Sequence, residues 1–93
     1  MEDIAGFPFF PVQYDKTGAA HVQSEEASLL AFLGQATTTD LILISHGWNN
    51  DMKEAMDLYR RLLTSIRAEL TADATLAARK FAVVGILWPS KKS

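Results

Sequence analysis

Asp40-Leu41-Ile42-Leu43-Ile44-Ser45-His46-Gly47-Trp48-Asn49-Asn50 changes character at its middle. The first six residues form an apolar run too short for a free-standing helix, the pattern of a central parallel strand covered on both faces. Past His46-Gly47 the period becomes helical. From Met52, apolar residues fall at Ala55, Met56, Tyr59, Leu62, Leu63, Ile66 and Leu70, which places them on one side of a helix. Lys53, Glu54, Asp57, Arg60, Arg61, Thr64 and Arg67 occupy the other side, with Asp57 set to pair with Arg60 or Arg61. Asn49 or Asn50 is the expected cap; Asp51 and Glu54 near the start and Arg67 near the end agree with the helix dipole. Phe81 to Leu87 is a second buried strand, stopped by Trp88-Pro89. Strand, helix and strand make a parallel β-α-β unit.

Upstream, Pro8 to Tyr14 and Ala19 to Gln23 read as an N-terminal hairpin about the turn formers Asp15-Lys16-Thr17-Gly18. Pro8 and Pro11 lack ladder donors and push the first strand toward a sheet edge or bulge. A short helix comes next, with Ser24 as cap and Glu25 and Glu26 in its first turn. Ala27, Leu29, Leu30, Phe32 and Leu33 supply its buried stripe, and Gly34 is its expected left-handed end. The stretch from Thr71 to Arg79 is alanine-rich, and its pattern leaves helix, second helix and loop open.

The chain of 93 residues has room for one domain, 1–93, of α/β class. Hydrophobic residues at 48% and charged ones at 22% match globular usage and argue against disordered, collagenous and coiled-coil classes. Nine Lys and Arg against eleven Asp and Glu give a net charge of -2, and no basic stripe follows a phosphate backbone, so nucleic acid is not an expected partner. Zero cysteines fit a reducing compartment, and two isolated histidines, His21 and His46, do not make a zinc site. The longest apolar runs fall far short of the roughly 20 residues a spanning helix needs. Met1-Glu2-Asp3-Ile4 is acidic where a secretory signal is basic, and a cytoplasmic location is the expectation.

Ser45 to Asn50 lies at the passage from the carboxyl end of a parallel strand to a helix start, where open α/β sheets hold their ligand crevices. Gly47 lets a backbone approach a ligand closely, and the amides of Trp48 and Asn49 lie among the unsatisfied donors of a helix start. Two such amides can stabilise a developing oxyanion.

The stretch from Asp40 to Asn50, the long helix after it and Val83-Val84-Gly85-Ile86-Leu87-Trp88-Pro89-Ser90 together resemble the beginning of a serine α/β-hydrolase. The likeness is to bacterial lipase- or esterase-like members with His-Gly-Trp-Asn after the third strand, and it covers residues 40 to 90. It implies a partial α/β-hydrolase-type sheet and ester hydrolysis. It further implies that Trp48 lends its backbone amide to an oxyanion hole, with His46 and Gly47 shaping the turn, while Asn49 and Trp88 are candidates for substrate contact. An acyl or ester small molecule is the implied partner, and no cofactor or metal is implied.

The family's nucleophile, within Gly-x-Ser-x-Gly, and the acid and histidine after it have no counterpart here. The five glycines offer no such pair around a serine. Ser45 and His46 do not replace a nucleophile and base, because strand neighbours point to opposite faces. The expectation is therefore an incomplete hydrolase domain, inactive alone and cut after its fourth strand. The other reading is a small α/β interaction module whose open strand edges pair in a homo-oligomer or with a complementing C-terminal chain. A phosphate-binding start at Asn49-Asn50 is weaker, lacking a glycine-rich fingerprint or Walker lysine. His21 reads as a solvated strand residue, Ser90 as a loop residue, Lys91-Lys92 as a solvated tail, and Met52, Met56 and Tyr59 as core.

Overall fold

A computed structural model describes residues 2–19, 22–35, 37–46 and 51–88. Its elements run β1 (Glu2–Ile4), β2 (Phe7–Gln13), α1 (Gln23–Gln35), β3 (Asp40–Ser45), α2 (Met52–Ala72) and β4 (Phe81–Leu87). They form an α/β fold: one four-stranded mixed sheet, ordered β1-β2-β4-β3, with two helices. β1 pairs antiparallel with β2, while β2 and β3 flank β4 in parallel.

The N-terminal hairpin is β1 with β2, not the expected pairing about residues 15–18. Its connection is Ala5-Gly6, with φ of 53° and 80°, and positive φ at both central residues is what a twisted two-residue hairpin needs. Asp3 Oδ1 accepts the Gly6 amide at 3.1 Å, and Arg67 Nε donates to the Ala5 carbonyl at 2.8 Å. The predicted turn does exist: Asp15 Oδ1 accepts the amides of Thr17 and Ala19. It leads to α1 rather than to a strand, and Glu25 secures that arrival by accepting both the backbone amide and side-chain Nε2 of Gln13.

β2 is an interior strand despite its prolines. The Tyr14 amide donates to the Leu87 carbonyl and the Gln13 amide to Glu25, so alternation turns the nitrogen of Pro11 away from β4. Pairing with β4 begins only at Phe9, beyond Pro8. Neither proline removes a bond from the β2–β4 ladder.

The expectation of a central β3 is corrected. β4 holds the middle, buried or half-buried throughout, and β3 is an edge strand of the described sheet. Ile42 and Ile44 point into the core, but Leu41 and Leu43 are 49% and 63% exposed on the other face. α1 packs on that face over β2, where Phe32 meets Phe10 with ring centroids 4.9 Å apart. The stripe of α1 is correspondingly narrower than predicted: Leu29 and Phe32 are half-buried, whereas Ala27, Leu30 and Leu33 are exposed. Ser24 lies inside α1, and Gly34 is helical rather than a left-handed cap.

α2 covers the opposite face. Ala55, Tyr59 and Leu63 are buried among Ile4, Phe7, Phe9, Val83 and Leu87, with Met52, Met56, Ile66 and Leu70 packed alongside. Leu62, at the margin of the stripe, is exposed. Asp51, rather than an asparagine before it, caps α2: its Oδ1 accepts the Glu54 amide at 2.8 Å, and Glu54 Oε1 accepts the Asp51 amide at 3.4 Å. Asp57 pairs with Lys53 and Arg60 on the exposed side. Arg67, expected among the solvated residues, is half-buried, its guanidinium 3.8 Å from the ring centre of Phe7. Among the described residues no helix is long and apolar enough to cross a membrane.

Candidate functional site

The carboxyl ends of β3 and β4 converge on His46 and Trp88, the first residues beyond each strand. His46 is 4% exposed. Its Nε2 accepts the Trp88 backbone amide at 3.0 Å, and Trp88 Nε1 donates back to the His46 carbonyl at 3.4 Å. The rings stack with centroids 5.2 Å apart and planes 16° from parallel. Two strand ends, 42 residues apart in sequence, are thereby tied to one another. An accepting Nε2 carries no proton, so the ring proton in this geometry lies on Nδ1. His46 is a structural fastener, and its Nε2 is already engaged.

Ser45 lies on the exposed side of β3, and its Oγ donates to the His46 carbonyl at 3.5 Å. Neither Ser45 nor His46 is arranged to activate the other.

Tyr59 supports the same end of the sheet from α2. Its hydroxyl donates to the Ile86 carbonyl at 2.6 Å, and its ring lies 6.4 Å from that of His46. Burial pushes the hydroxyl up to about 12, partly opposed by a hydrogen bond with the His46 backbone. Sequence reasoning assigns Tyr59 to the core and misses this contact; a tyrosine on a buried stripe needs a partner for its hydroxyl, and that requirement is the available signal.

Gly47, Trp48, Asn49 and Asn50 lie outside the described residues, as do His21, Pro89, Ser90, Lys91 and Lys92. The structure thus frames the candidate oxyanion stretch, with His46 before it and the capped start of α2 after it. Comparison with known protein families, with curated proteins and with solved structures found no match. The site is therefore read from its own residues. Among the described residues no group of three or more His, Asp or Glu side chains is placed to hold a metal.

Two outcomes are expected of this cluster. His46→Ala removes the stack and leaves the Trp88 amide without its acceptor, and about 2 to 3 kcal/mol of stability should be lost in urea unfolding. The Tyr59 pair gives a pH signature. A phenol raised in the folded state favours folding fully below the unfolded value of about 10, and the gain is lost as pH rises through about 12. Stability should fall between pH 10 and 12, and Tyr59→Phe should show a shallower fall over that window.

Proposed function

We propose that this chain is the amino-terminal part of a serine α/β-hydrolase acting on an ester or related acyl compound. The carrying observation is the hydrogen bond from the Trp88 amide to His46 Nε2, because it joins the two stretches in which the resemblance resides. Both belong to the carboxyl edge of parallel strands, the edge at which such sheets hold ligands. In this reading His46 anchors the start of the oxyanion stretch and Gly47 permits close backbone approach. The Trp48 amide meets the negative oxygen of the tetrahedral intermediate, and Asn49 and Trp88 border the acyl group.

The edge of β3 that carries no strand among the described residues accommodates the rest. A further parallel strand paired there ends beside His46, and a Gly-x-Ser-x-Gly turn on it carries the nucleophile to the oxyanion donors. The acid and the general-base histidine belong to that further polypeptide, and no cofactor takes part.

The 93 residues by themselves should give no turnover of an activated ester above buffer, even at high protein concentration. Robust turnover abolished by Ser45→Ala or Ser90→Ala would overturn the proposal.

One observation favours a second reading. Leu41 and Leu43, with Leu30 at 69% exposure, border an apolar groove of about 360 Å³ between α1 and the open β3 strand. Asp40–Ser45 contains no proline or lysine, the residues that commonly blunt a free edge. An interaction module pairing through β3 predicts a discrete dimer in light scattering that Leu43→Lys converts to monomer. A well-folded monomer at high concentration contradicts it.

A further inference from the structure

At the amino ends of β2, β3 and β4, opposite the His46–Trp88 edge, a pocket of about 280 Å³ is lined by three cationic side chains, Arg67, Arg79 and Lys80. Among the described residues no acidic side chain lines it. Asp40 neutralises Arg79 through a two-pronged contact, Nε to Oδ2 at 2.6 Å and Nη2 to Oδ1 at 3.0 Å. The Arg79 guanidinium in turn holds the Asp40 carboxyl below its usual range. Asp3 is turned into the β1–β2 hairpin, where it accepts the Gly6 amide. Arg67 and Lys80 make no salt bridge with a carboxylate among the described residues. Arg79 is thus balanced by Asp40, and Arg67 and Lys80 are the cationic side chains of the pocket that remain for a ligand.

Arg67 is preorganised. Its Nε is committed to the Ala5 carbonyl and its plane lies over Phe7, so the guanidinium is oriented before any ligand arrives. A guanidinium fixed in this way binds oxyanions with less loss of side-chain freedom than a solvated one. Thr37, Thr38, Phe32 and Phe81 complete the lining, Phe32 beside Phe10 on the α1 side of the sheet and Phe81 beside Phe7 on the α2 side.

We propose that this pocket binds a phosphate monoester of a small planar group, with the phosphate between Arg67 and Lys80 and the planar group against Phe32 and Phe81. A phosphate monoester carries a charge of about -1.5 to -2 near neutrality and three acceptor oxygens, enough to engage both cationic side chains at once, whereas a carboxylate offers about half the charge and two oxygens. The volume lies just below the usual small-molecule range of about 300 to 1,000 Å³, so a single ring with its phosphate is the size that fits. The site lies at the opposite end of the sheet from the proposed oxyanion stretch and stands whether or not the hydrolase reading holds.

The test is titration of the 93-residue chain with phenyl phosphate, benzoate and inorganic phosphate, followed by calorimetry and amide chemical shifts. Phenyl phosphate should bind at least about tenfold tighter than either comparison ligand and perturb Thr38, Arg67 and Phe81. Lys80→Ala should weaken it several-fold, and Lys80→Glu about tenfold or more, with thermal unfolding unchanged because the Lys80 side chain is exposed. Phenyl phosphate binding no tighter than inorganic phosphate, shifts confined to other residues, or affinity unmoved by both Lys80 variants overturns the proposal.

Discussion

Gly85→Ala should destabilise the domain by about 3 kcal/mol, and Gly85→Val by more, in urea unfolding followed by circular dichroism. A Cβ built on Gly85 lies 2.7 Å from Cε2 of Phe9, closer still to its Cζ, and 3.2 Å from Cδ2 of Tyr59. Neither ring has room to retreat. Phe9 is fully buried, and Tyr59 is held by its bond to the carbonyl of Ile86, the residue after Gly85. Removing glycine's freedom from the unfolded chain returns at most about 1 kcal/mol, so overcrowding wins. Gly34→Ala is the contrasting case: the glycine is helical, nothing lies within 4 Å of the added carbon, and stability should rise by up to about 1 kcal/mol. An unchanged Gly85→Ala protein would mean that Phe9 and Tyr59 do not press against β4 as described.

Under the proposed hydrolase reading, Trp48→Pro should lower kcat about 100- to 1,000-fold, with a much smaller change in KM, in the longer polypeptide which that reading requires. Proline has no backbone N–H, so the substitution deletes the proposed donor outright. A donor acting on charge that develops in the transition state affects kcat and kcat/KM together. Trp48→Ala retains the amide and should remain within several-fold of the parent. Equal losses in the two variants would assign Trp48 a side-chain role and remove it from the oxyanion hole.

The elements most legible in the sequence are those whose periodicity is decided within the element. Ala55, Tyr59 and Leu63 recur every four residues and are buried on α2, and Phe81 to Leu87 is recognisable as a strand from its apolar run and the proline beyond it. The features that escape a local reading depend on neighbours. Leu41 and Leu43 look like residues buried in a parallel strand, yet strand order leaves their face open, and order is not contained in a local pattern. The hairpin turns on Ala5-Gly6, where alanine takes a left-handed conformation that its residue type argues against, while Arg67, 62 residues away, supplies a bond to the Ala5 carbonyl. Asp15 to Gly18 is a turn, as its residue types require, but it delivers the chain to a helix where a strand was expected, because turn chemistry specifies a reversal and not the next element. At the candidate site, the placement of His46 at the end of a strand is readable, whereas its bond to the Trp88 amide requires β3 and β4 to be neighbours.

The most direct test of the proposed enzyme ancestry is fluorophosphonate labelling of the whole product of the gene that encodes these 93 residues, with the modified residue located by mass spectrometry. The hydrolase account predicts a single labelled serine within Gly-x-Ser-x-Gly outside residues 1–93, its labelling slowed by Trp48→Pro. A stop codon immediately after Ser93, labelling of Ser45 or Ser90, or a continued chain with no reactive serine would contradict it.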